Sequence, residues 1–99
     1  MLNTKKMLTK LSKRVNFRQT YTSKSNVSIA ANGYTSVTLP APSSGTPIAV
    51  TGYMITGTGN TSINVYGIYL SGGAPTLYLK NTVNSAATVT VTAYMLVVD

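Results

Sequence analysis

Any chemistry in this chain has to be done by hydroxyls, amides, phenols and ammonium groups. Its 99 residues include no Cys, His, Trp or Glu, and Asp99 is the only acidic side chain. Cys/His metal sites, thiol catalysis, imidazole acid–base work and carboxylate pairs are therefore excluded. A Ser–Lys nucleophile needs a serine beside a desolvated lysine. No Ser-x-x-Lys spacing occurs in the sequence, and strand parity points Lys80 toward solvent. Gly57-Thr58-Gly59-Asn60-Thr61-Ser62 superficially matches a phosphate-cradling loop. It lacks a third glycine, a Lys-Ser/Thr pair and a following helix, and it reads as a turn between strands. No catalytic residue, cofactor or metal ligand is expected, and the chain reads as a non-enzyme.

Binding is what remains. Of the seven tyrosines, Tyr78 alternates with Leu77 and Leu79 and so faces outward, while Tyr53 and Tyr66 are ambiguous by parity. With Asn60 in the turn, these three form the candidate ligand-binding set. Tyrosine offers flat amphipathic contact area at low entropic cost; the competing reading of each is an ordinary half-buried strand residue. The cations are the second candidate. Seven of the eight lie in the first 24 residues, and Lys5, Lys6, Lys10, Lys13, Arg14 and Arg18 make a basic arm. Such an arm neutralises phosphates in a strongly salt-dependent way. Only Phe17 and Tyr21 are near it for stacking, and no nucleic-acid reading motif is present. A charged stem or solvated arm is the favoured reading; nucleic acid or an anionic surface is the alternative.

Two kinds of chain position these residues. Residues 1–20 read as a basic helical stem or arm: Met1, Leu8, Leu11 and Val15 follow the seven-three-four spacing of a coiled-coil seam. A lone helix of this length is marginal in water, so Leu8, Leu11 and Val15 are expected to meet other copies of the chain. Residues 21–99 read as a β domain, with period-two alternation of Thr, Val, Ser, Tyr and Ile. Val27 and Ile29 precede an Asn32-Gly33 turn; Val37 and Leu39 precede a loop containing Pro40, Pro42 and Pro47. Ile48, Val50 and Met54 are expected to share a face, and Ile63 and Val65 begin the next strand. The segments Gly52–Gly57 and Gly67–Gly72 have the same punctuation, which predicts equivalent bends in two neighbouring strands. The last strand, Ala87 to Val98, is apolar on both faces. Either it is central in one sandwich, or Tyr94, Leu96 and Val98 bury against other subunits.

Size favours assembly. A chain of this mass buries only about 60–65% of its unfolded surface, and without disulfides or metals oligomerisation is the usual remedy. No apolar run approaches the ~20 residues of a spanning helix, and the N-terminus has no export-signal core.

Residues 26–99 resemble the C-terminal β domains of tail-fibre and receptor-binding minor structural proteins of tailed phages. The likeness rests on the Ala31-Asn32-Gly33-Tyr34 turn, Gly59-Asn60 before Ile63-Asn64-Val65, and Tyr69-Leu70-Ser71-Gly72. Leu77 to Thr82 and Ala86 to Tyr94 complete it. It is a likeness of texture and order, without a diagnostic motif. The resemblance implies a homotrimeric virion protein, exposed on the phage tail or capsid, that contacts other virion proteins and adheres to host-surface saccharide; it supplies no catalytic residue. The chain departs from a complete fibre in lacking a long shaft and an attachment domain, so a capsid decoration or head-fibre subunit is the alternative. The expected fold is a small antiparallel β-sandwich, jelly-roll-like, of six or seven strands.

Overall fold

The computed structural model describes residues 16–99. The expected stem, with Leu8, Leu11, Val15 and the cations Lys5, Lys6, Lys10, Lys13 and Arg14, lies outside the described residues. Six strands follow: β1 (Phe17–Ile29), β2 (Tyr34–Thr38), β3 (Thr46–Thr58), β4 (Ile63–Ser71), β5 (Ala74–Asn81) and β6 (Ala87–Val98), with a single 3₁₀ turn at Asn60–Ser62. They form two three-stranded sheets, β1-β6-β3 and β2-β5-β4, and every strand pair is antiparallel. This is the order made by rolling up a long hairpin whose halves are β1–β3 and β4–β6. β1 lies on β6 and β2 on β5; β3 then closes on the other edge of β6, and β4 on the other edge of β5.

Alternation places the core. From β5, Leu77 and Leu79 face inward; from β6, Ala87, Val89, Val91 and Ala93 do so; Val27, Ile29, Val37 and Leu39 complete the buried cluster. Leu77, Leu79 and Val91 have no exposed surface, and each such leucine contributes about 1.5–3 kcal/mol. The Asn32-Gly33 turn joins strands of different sheets. Asn32 adopts φ 54, a left-handed conformation that asparagine tolerates. Its N–H donates to the Val83 carbonyl, and the Asn81 N–H donates to the Gly33 carbonyl, both at 2.9 Å.

Asn81 pins this end of the sandwich. It has no exposed surface, and its amide donates to the carbonyls of Ser85 at 2.7 Å and Ile29 at 3.4 Å. Its Oδ1 accepts from Ser62 Oγ and the Val83 N–H, both at 3.2 Å. One buried amide thus ties β5 to the end of β1, the 3₁₀ turn and the loop before β6, with donors and acceptor all satisfied.

Two expectations are corrected. β1 opens at Phe17, so residues 17–20 belong to the sheet and not to an N-terminal stem. Arg18, expected in the basic arm, is a strand residue. Its Nη2 and Nε donate to the two carboxylate oxygens of Asp99 at 2.8 and 3.0 Å, and Nη2 also donates to Ser44 Oγ at 2.8 Å. The guanidinium holds the Asp99 carboxyl below its ordinary range, by hydrogen bonding first and charge second. The second correction concerns Ile48, Val50 and Met54, which do not share a face. Register shifts at Pro47/Ala49 and Val50/Gly52 each insert an extra residue into β3. Val50 consequently pairs with inward-facing Met95 while Met54 pairs with Thr92 on the outer face.

Candidate functional site

The outer face of the β2-β5-β4 sheet gathers four tyrosines and a lysine. Alternation on β5 sends Leu77 and Leu79 inward, which leaves Tyr78 and Lys80 outside. Tyr34 on β2 pairs with Lys80 and therefore shares that face. The two tyrosines of β4 need a further device, since residues three apart point to opposite faces of a regular strand. Val65 pairs with Leu79, but Gly67 pairs with Tyr78, so Tyr66 is an extra, bulged residue. The bulge resets parity and brings both Tyr66 and Tyr69 to the outside.

The rings run across all three strands. Tyr34 meets Tyr66 edge-on at 5.7 Å between centroids, Tyr66 meets Tyr78 at 5.7 Å, and Tyr78 stacks with Tyr69 at 5.6 Å. These are favourable aromatic separations. Gly67 makes room for the row: a Cβ there would lie 3.0 Å from Tyr78 Cδ2, tighter than an ordinary contact, so the ring lies over the strand where a side chain is absent. The Tyr69 and Tyr78 hydroxyls are 3.0 Å apart, and Lys80 Nζ donates to the Tyr34 hydroxyl at 3.1 Å. The hydrogen bond and charge of Tyr69, then partial desolvation and Tyr66, raise the Tyr78 pKa above its ordinary value. Tyr34, Tyr66 and Tyr69 remain 65, 55 and 43% exposed; the face is an open, aromatic, hydroxyl-bearing surface.

Of the candidate ligand-binding residues, Tyr66 and Tyr78 are brought together here. Tyr53 is on β3, where it lines an open cleft of about 510 Å³ with Ile48, Val50, Ile68, Tyr69 and Leu70. Tyr69 belongs to both the cleft and the tyrosine row, so Tyr53 borders the site. Asn60 stands apart, its amide donating to the Ile55 carbonyl at 3.3 Å within the turn. Tyr34 and Tyr69 were missed by the sequence reading. Parity back from Val37 and Leu39 places Tyr34 outside; Tyr69 needed recognition of the bulge at Val65-Tyr66-Gly67.

The other outer face, on β1-β6-β3, is built alike and furnished differently. Tyr94 on central β6 lies toward Gly52, the residue after a bulge in β3, as Tyr78 lies over Gly67. Tyr94 pairs with Tyr21 across the strands, their centroids 6.1 Å apart. Leu96 and Val98 are half-buried beside them, and Phe17, Tyr21 and Met54 are exposed. β6 is thus the central strand of its sheet, and its second apolar face is uncovered among the described residues. No described helix is long and apolar enough to cross a membrane. In comparisons with known proteins, no family model, curated protein or solved structure matched this chain.

Proposed function

We propose that this protein is a non-enzymatic adhesion subunit of a phage virion, at a tail-fibre tip, which assembles as a homotrimer and holds host-surface saccharide on its tyrosine face. The observation that carries the reading is the row Tyr34–Tyr66–Tyr78–Tyr69. Ring faces complement the C–H faces of pyranose sugars, and the hydroxyls and Lys80 offer hydrogen bonds to sugar oxygens. Contiguous exposed patches of this kind mark interaction surfaces. The strand order adds support: it is that of a jelly roll reduced to six strands, an architecture used by viral capsid and lectin domains. That link is an analogy of fold, and the site carries the functional argument.

The proposed trimer buries the other outer face, with Tyr94, Leu96 and Val98 at its centre and other virion proteins as further neighbours. Such a face, with no charged side chain among these residues, suits contact with a copy of itself. The decoration-subunit alternative makes the same use of this face but needs no saccharide.

The test is a binding titration of the full chain against an array of bacterial surface oligosaccharides. Tyr66→Ala and Tyr78→Ala should each weaken the best binder about fivefold or more, while leaving the circular dichroism spectrum unchanged, since aromatic anchors are commonly worth about 1–3 kcal/mol. Absence of binding to any saccharide overturns the adhesion reading and leaves the decoration subunit.

A further inference from the structure

We propose that the ligand of the tyrosine face is an acidic saccharide whose carboxylate is read by Lys80; this rests on the saccharide reading above and specifies its ligand. The argument is one of charge complementarity. Lys80 is the only cation in residues 25–99, and the only acidic side chain of the sequence is Asp99. Asp99 is held by Arg18 in a two-point ion pair with contacts of 2.8 and 3.0 Å. No side-chain carboxylate is left to neutralise Lys80. Its Nζ lies 3.1 Å from the Tyr34 hydroxyl and 4.6 Å from the centre of that ring. An ammonium has three donors, and the single side-chain acceptor it meets among the described residues is that phenol. Tyr34 therefore fixes the ammonium beside the aromatic row and leaves donors available to a ligand. A sugar ring stacked on Tyr66 and Tyr78 carries a ring carboxylate within reach of such a group. A single-stranded nucleic acid shares aromatic stacking and negative charge, but it calls for a run of cations along its backbone, and among the described residues this face has one.

The experiment uses the full chain and a matched pair of probes, a galacturonic acid trisaccharide and its carboxyl-reduced neutral counterpart. At about 0.02 M NaCl the acidic probe should bind roughly fivefold more tightly, the upper range for an exposed ion pair, and the preference should close by about 0.5 M NaCl. Lys80→Gln should abolish the preference, and Lys24→Gln, on the other sheet, should retain it. Equal affinity for the two probes, or a preference that survives in Lys80→Gln, overturns the inference while the saccharide reading stands. If neither probe binds and another neutral glycan does, the inference falls alone; if no glycan binds, both fall. Tighter binding of a trinucleotide than of the acidic sugar, lost in Lys80→Gln, assigns the face to nucleic acid instead.

Discussion

The two outer faces of this sandwich share a construction and differ in what they can bind. In each, a tyrosine of the central strand lies toward a glycine that follows a bulge in the edge strand: Tyr78 over Gly67, Tyr94 toward Gly52. Around Tyr78 the neighbours are Tyr34, Tyr66, Tyr69 and Lys80, joined by hydroxyl and ammonium contacts near 3 Å. Around Tyr94 they are Tyr21, Leu96 and Val98. A surface of polar-tipped rings stays hydrated and recognises a polar ligand by direction; an aliphatic surface gains by leaving water. The lesson is that a bulge followed by glycine seats a tyrosine of the central strand over the edge strand, and the residues alongside decide the use of the face.

The comparison breaks most completely at Asn81, which joins both sheets. Asn81→Ala leaves the buried Ile29 carbonyl, and the partly buried Ser85 carbonyl and Val83 N–H, without that partner. The expected loss is about 3 kcal/mol, seen as a lower urea midpoint, and both faces should disappear in one transition.

Leu96→Asp separates the faces. A carboxylate in the proposed interface costs the assembly its contact, because an unpaired charge cannot be buried. Light scattering should report monomer or aggregate, while per-chain saccharide affinity stays near that of the native protein. An assembly of unchanged mass would remove this face from the interface. Tyr78→Ala should give the opposite pattern, with mass unchanged and affinity lost.

The glycines sharpen the comparison at smaller scale. A methyl at Gly67 meets Tyr78 Cδ2 at 3.0 Å, whereas one at Gly52 meets Tyr94 Cδ2 at 3.8 Å, an ordinary contact. Gly67→Ala should therefore cost about 1 kcal/mol through displacement of the ring and weaken ligand binding. Gly52→Ala should be neutral or stabilise by up to about 0.5 kcal/mol, because it restricts the unfolded chain. Urea denaturation of the two variants measures the difference.

The smallest effect lies in acid. The folded pKa of Asp99 is depressed by Arg18, so the contribution of this pair is complete above the unfolded value of about 3.9. It is lost as pH falls through the lower folded value. Asp99→Asn should flatten that acid limb and leave the tyrosine face undisturbed, as followed by tyrosine fluorescence against pH.

Much of this molecule is legible from alternation alone. Leu77 and Leu79 inward with Tyr78 outward, and Val89 to Val97 on one side of β6, follow from a period of two and the free energy of burying apolar surface. That the chain holds no Cys, His or Glu is likewise read from composition. The equal punctuation of Gly52–Gly57 and Gly67–Gly72 corresponds to a bulge before Gly52 and another before Gly67, where a strand can kink or admit a ring, but the two strands are not neighbours, since β3 pairs with β6 and β4 with β5. What the sequence could not decide is which strands share a sheet. Asn32-Gly33 reads as a hairpin turn, yet it passes the chain from one sheet to the other, because the partners of β1 lie 58–81 residues away on β6 and those of β2 lie 38–46 residues away on β5. Nor could parity place Tyr69, or separate Val50 from Met54, because one inserted residue reverses every side chain beyond it. Residue type and alternation are local properties. Strand pairing, bulge position and the gathering of four tyrosines on one face are set by long-range packing, and only the tertiary structure decides them.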